Sequence, residues 1–177
     1  MTALRVEERG IASYVLMGYL MVMTFLFLAI FGAMRQVELV QEQTLTAVEV
    51  AAGQAVEQVD PKALAQGQAV IQPGPAGSVF LTTLEQQADL NSSLAPVAGN
   101  YLYDGALKVD YFDVYTAANA GQTTPTGGLQ VLGPSVFAEV EAPVAVRVAG
   151  FPVLTWTIHV ADLKEAAVYN ASTNTWR

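Results

Sequence analysis

His159 is the only histidine in the chain. It sits in an alternating apolar/polar run, and Glu139 and Glu141 occupy polar positions of the alternating run before it. A histidine set against carboxylates can shuttle a proton or ligate a metal. One histidine and no cysteine cannot build a Ser-His-Asp triad, a Cys-His pair or a multi-histidine metal centre within one chain. A cross-strand surface pair between His159 and one of the two glutamates is the expectation. Asp104, Asp110 and Asp113 carry oxygens that calcium accepts, but their spacing lacks the D-x-D-x-D-G loop and falls partly on a strand. No glycine-rich phosphate loop follows a strand, since the 14 glycines are scattered through turns. "NSS" at Asn91 and "NAS" at Asn170 match the glycosylation pattern, which arises often by chance. The residues therefore assign no catalytic, cofactor-binding or metal role, and an enzyme is not expected.

Charge narrows the partners. Beyond Met34 there are 14 acidic and 6 basic side chains. An acidic exterior does not neutralise phosphates, so nucleic acid is not an expected partner. Tyr101, Tyr103, Tyr111 and Tyr115 lack the basic neighbours of a base-stacking platform and read as core or subunit-contact residues. The absence of cysteine removes disulfides and thiol chemistry and leaves the redox compartment open.

The elements that must position these residues begin with a long apolar stretch. From Ile11 to Met34, 24 residues pass without a charge. As a helix they span about 36 Å, enough for a hydrocarbon core of ~30 Å. A cleaved secretory signal has a shorter apolar region, and "FGA" at Phe31–Ala33 puts Phe where a small residue is wanted. The stretch reads as retained in the membrane. Arg5 and Arg9 before it and Arg35 after it nearly cancel the positive-inside signal. The acidic remainder then favours a single pass through the cytoplasmic membrane with the N-terminus in the cytoplasm and the head outside.

Residues 35–60 carry no proline and one glycine, Gly53. Val37, Val40, Thr44, Val48, Ala51, Ala55 and Val59 recur at helical spacing, with Gln and Glu filling the rest of the surface. One continuous helix from about Ile11 to about Val59, ended by Asp60-Pro61, is the simplest reading, a rod of roughly 70 Å. The alternative is a membrane anchor followed by a separate juxtamembrane helix. The organisation is thus a charged leader over 1–10, an apolar helix over 11–34, its amphipathic continuation over 35–60, and a β-rich head over 61–177.

Within the head, "QPGPAG" at 72–77 reads as a loop. Ser78 to Leu90 reads as a short helix with Ser78 as N-cap and Val79, Leu81, Leu84 and Ala88 on one face. Residues 107–116 read as a strand and 117–128 as a loop. Val136 to Val148 alternates at period two, and Leu154, Trp156, Ile158 and Val160 alternate after "GFP" at 150–152. That pattern predicts a β-hairpin with one buried face, its core formed by Val140, Val144, Val146, Leu154, Trp156 and Ile158. Pro143 cannot donate to a ladder, so the strand bends there or lies at an edge. The segment 163–170 either extends the strand or forms a final helical turn. The fold class is α+β: a long N-terminal helix and a small antiparallel β-rich head.

"ERG" at Glu8–Gly10, the following "IASYVL" (Ile11–Leu16), the glutamine- and alanine-rich helix and the late alternating strands together resemble the type IV pilin-like superfamily, and most closely its TadE-like branch of pilus-associated proteins. The resemblance implies removal of a short leader by a prepilin peptidase between Gly10 and Ile11. It further implies packing of N-terminal helices into an extracellular filament or pseudopilus by an assembly platform. The chain departs from the family at one position. Pilins usually carry a glutamate at the fifth residue of the mature helix, and here that residue is Val15. Either the leader stays, or the subunit packs by apolar contact alone. Gly18, Ala29, Gly32 and Ala33 supply small residues for such close approach.

The expected function is therefore a structural subunit of a type IV pilus-like filament. Its partners would be further copies of itself, and the membrane before assembly. The alternative is a membrane-anchored protein whose outer head binds a ligand or partner. An anchored enzyme is a distant third. Self-association through residues 11–59 separates the first two.

Overall fold

In the computed structural model, the structure describes residues 3–148, 151–167, 169–170 and 175–176, with side chains described for 13–146 and 154–167. The first element, α1 (Ala3–Val56), is one uninterrupted helix of 54 residues. No proline breaks it, and the hydroxyls of Thr24, Thr44 and Thr46 donate back to the carbonyls of Leu20, Val40 and Glu42. Such back-bonds satisfy a hydroxyl without interrupting the ladder. The continuous rod is what forms, and no separate juxtamembrane helix is present. It stops three residues before Val59, because Val59 leaves the helix to bridge Ile71. Asp60 then caps the short helix α2 (Pro61–Ala65), its carboxylate accepting from the Lys62 amide at 2.9 Å.

The chain returns along α1 as α3 (Pro73–Gln87). This corrects two expectations. The Pro/Gly-rich stretch 72–77 is no loop but leads into and forms the first turn of α3, because proline at N1 has the helical φ and lacks only an amide that would go unbonded anyway. Gln72 holds the N-cap position with no side-chain cap, so Ser78 is interior. The buried face is Ala76, Phe80, Thr83 and Leu84, while Leu81 is exposed. Starting the helix six residues earlier adds no rotation, so the face is set by where α1 lies.

Three antiparallel strands follow in the order β1 (Lys108–Tyr115), β2 (Ser135–Val148) and β3 (Phe151–Glu165). A short pair, β4 (Tyr169–Asn170) and β5 (Thr175–Trp176), stands apart from them. The segment from 163 extends the strand as far as Glu165 rather than turning helical. The even-numbered face of β2 packs on α1: Val136, Ala138, Val140, Ala142 and Val144 share one core with Val40, Val48, Ala51, Ala55, Phe80 and Leu84. Alanines at 47, 51, 52 and 55 let α3 and the sheet approach the rod closely.

The hairpin was expected to bury one face, and β2 buries both. Phe137 and Ala145 on the odd face are also buried, as is Glu139, which accepts a hydrogen bond from Thr126 in the segment between β1 and β2. Among the expected core positions, Val140, Val144, Val146 and Ile158 are buried, whereas Leu154 and Trp156 are exposed. They belong to the outer strand β3 near the hairpin end, where no described element covers them. Pro143 lies past the end of β1, whose pairing with β2 stops at Lys108 opposite Glu141. Its carbonyl accepts from the Asp104 amide at 2.9 Å. A strand residue points its N–H and C=O to the same side, so the missing N–H of Pro143 faces this loop and the ladder to β3 is intact.

Candidate functional site

Two features rise above structural packing: the bare half of α1 and a polar cluster on the outer face of the sheet. Of the described helices, α1 alone is long and apolar enough to cross a membrane, and the head buries none of its most apolar window. Val15, Leu16, Met17, Leu26, Phe27 and Leu28 point in different directions around the axis, and all are exposed. Thr24, a polar residue within this half, spends its hydroxyl on the Leu20 carbonyl at 2.8 Å. The surface is one that lipid or other helices would cover.

The small residues fall on it unevenly. Ala29 and Ala33 are half-buried and continue the stripe of Val37, Val40 and Thr44 that faces the head. Gly32 points off that stripe. Open space surrounds both Gly18 and Gly32, with no atom within 4 Å of where a Cβ would stand. The peptide bond between Gly10 and Ile11 lies inside α1, and the side chains at those positions are outside the described residues.

The polar cluster forms where three strands meet. A register shift between Val109 and Tyr111 leaves Asp110 without a cross-strand partner and turns it to the outer face. There its carboxylate lies 3.8 Å from His159 Nδ1, and the Glu139 carboxylate lies 3.7 Å from the same nitrogen. His159 pairs in register with Glu141, so the expected neighbours are present and Asp110 joins them. The sequence marked Asp110 as an oxygen donor beside Asp104 and Asp113, but its spacing gave no signal that it meets His159 and Glu139. One ligand atom from each of Asp110, Glu139 and His159 falls within 4.8 Å of the others, close enough to hold a metal ion. The same groups are also partnered by protein. Lys108 pairs with Asp110 and reaches Glu141 at 3.5 Å, and Thr126 donates to Glu139. The Asp110 carboxylate beside it, with Glu141 behind, holds the Lys108 ammonium above the usual lysine range. The arrangement accounts for itself as a network of ion pairs. Asp104 and Asp113 are not part of the group that could hold a metal ion.

An open cleft between α1 and the end of α3 is lined by Glu42, Gln43, Thr46, Gln87, Asp89 and Tyr103, among others. Its lining holds no nucleophile–base pair. Among the four tyrosines, Tyr103 is buried and bonded to Thr44, whereas Tyr101 and Tyr111 are exposed.

Comparison with known proteins adds no relative. No family model matches the chain, and no curated protein or solved structure matches it significantly.

Proposed function

We propose that the chain is a single-pass membrane-anchored structural subunit that assembles, through its N-terminal helix, into a type IV pilus-like filament or pseudopilus. The observation that carries this reading is the division of α1. Its second half forms the spine of the head, and its first half is apolar all round with no cover of its own. Lipid covers such a surface before assembly, and like helices from neighbouring copies cover it afterwards, so extraction exchanges one apolar contact for another. The open space at Gly18 and Gly32 lets a neighbouring backbone approach. On this reading the N-terminus lies in the cytoplasm, the head outside, and a prepilin peptidase and assembly platform act on the leader and the helix. The role is structural rather than catalytic.

One observation favours a second reading, an anchored protein whose head binds a ligand or partner. Val15 stands where an assembling pilin usually has its glutamate, and no acidic residue occurs from Ile11 to Met34. Packing would then have to proceed by apolar contact alone.

Electron microscopy of material sheared from cells producing the protein, with mass spectrometry of its N-terminus, tests the proposal. Filaments containing a chain that begins at Ile11 support a processed subunit. Filaments containing Met1 support assembly without leader removal. If no filaments form and the intact chain stays in the membrane fraction, the filament reading fails and the anchored binder replaces it.

A further inference from the structure

The sheet and the rod are held in a fixed axial register by two contacts. Lys164, opposite Val136, lies 3.8 Å from Glu49, and Gln36 Nε2 donates to the Ala145 carbonyl at 3.1 Å. Passing along β2 from Val136 to Ala145 therefore tracks α1 from Glu49 back to Gln36, towards its apolar half. Trp156 pairs with Val144 and Leu154 with Val146, the two neighbours of Ala145. Both side chains thus stand level with Gln36, directly beside the end of the uncharged run at Met34.

These two residues are anomalous in exposure. Their partners Val144 and Val146 are 0% and 4% exposed, whereas Trp156 is 56% and Leu154 52% exposed. At the same strand-to-helix ratio, the last described pair of the hairpin, Val148 and Phe151, is level with about Gly32, inside the apolar run. Exposed apolar side chains of this size would be a liability in water at the side of a soluble head. They are suited to one place, the boundary between headgroups and acyl chains, where an indole buries its ring and keeps its N–H wet. Arg35, exposed on α1 at the same level and 3.5 Å from Glu38, presents a guanidinium that lipid phosphate can compete for.

We propose that the β2–β3 hairpin, at Leu154 and Trp156, makes a lipid-contact surface. It seats the head directly on the outer leaflet, with Trp156 and Leu154 inserted at the headgroup–acyl boundary. The inference rests on the membrane-anchor part of the reading above, and it adds that the head lies on the bilayer rather than standing off it. The hairpin would then fix how deeply α1 sits.

The test uses the full chain with Trp176→Phe, which leaves Trp156 as its only tryptophan, in nanodiscs of phosphatidylcholine. One set of discs carries bromine near the glycerol end of the acyl chains, and another carries it near the bilayer centre. The expected result is about a twofold loss of Trp156 fluorescence in the first set and little loss in the second. Adding Leu154→Asp should reverse much of the quenching while the chain stays in the disc. A chain that co-elutes with the discs but shows no quenching in either set overturns the inference and leaves the anchor standing. So does protection of Trp156 that appears only in discs holding two copies, because the covering partner is then a second copy. A chain that does not enter discs overturns the anchor and the inference together.

Discussion

Thr44 on α1 and Tyr103 in the segment before β1 place their hydroxyls 3.1 Å apart, both buried in the seam between rod and head. Thr44 already donates to the Val40 carbonyl at 2.7 Å. A hydroxyl has one proton to give, so Tyr103 is the donor of the pair. The two single substitutions should therefore differ. Thr44→Val strands the phenol in the core and should cost about 1–3 kcal/mol, whereas Tyr103→Phe removes the donor cleanly and should cost about 0.5–1.5 kcal/mol. The double variant should recover part of the Thr44→Val loss. Thermal unfolding of the full chain in micelles, followed by near-ultraviolet circular dichroism, measures all three. Equal costs would reject the donor assignment.

The same tyrosine makes stability sensitive to alkali. Burial pushes the Tyr103 phenol above its ordinary value of 10.0, and the Thr44 hydroxyl, once turned to donate to the phenolate, draws it partly back. The folded state thus favours the neutral phenol. Its contribution is complete below the ordinary tyrosine value and is lost as pH rises through the raised one. Stability should be flat in this respect at neutral pH and fall on the alkaline side, with a shallower fall in Tyr103→Phe. Phenolate absorbance during an alkaline titration should show one late-ionising group missing from the variant. Tyr115, also raised by burial and then by Asp113, remains as an internal control.

Phe80 is fully buried and meets Phe112 with ring centroids 5.1 Å apart, linking α3 to β1. Phe80→Ala should cost about 3–5 kcal/mol through lost burial and the cavity left behind. Leu81→Ala, one position along, should stay within about 0.5 kcal/mol because Leu81 faces solvent. Denaturant unfolding of the two variants separates them, and comparable losses would reassign the buried face of α3.

Thr126 reaches across from the covering segment to donate to Glu139, a carboxylate that is almost wholly buried. Thr126→Val keeps the shape and removes the donor, at a cost of about 1.5–3 kcal/mol for a bond to a charged group. Hydrogen exchange should locate the damage. The Val131 amide, bonded to the Gln122 carbonyl within that segment, should lose protection before the core amides of β2 do. Uniform loss across the sheet would mean that Thr126 supports the whole head.

The parts legible in the sequence are those with long, unbroken periods. The 54-residue rod follows from the absence of proline before Pro61, and β2 from alternation held over 14 residues. What misled was composition without position. Pro73, Gly74 and Pro75 are loop-formers on average, yet the first turn of a helix tolerates them. Alternation marks which residues share a face but is silent on how far the covering element extends. Trp156 and Ile158 therefore share a face, and only Ile158 meets cover. The neighbours of Asp110 were hidden for another reason: a one-residue register shift in β1 leaves it outside the regular pairing.

The helix that supports the head is also the helix that leaves it, and no joint lies between Met34 and Gln36. Orientation is consequently transmitted along the chain as through a keyed shaft. One residue inserted into that junction would swing the head by about 100° around the axis relative to everything bound to the apolar half, and four residues would bring it back to within about 40°. The azimuth at which each head faces its surroundings is thus encoded in a count of residues, and neither half can be turned without the other.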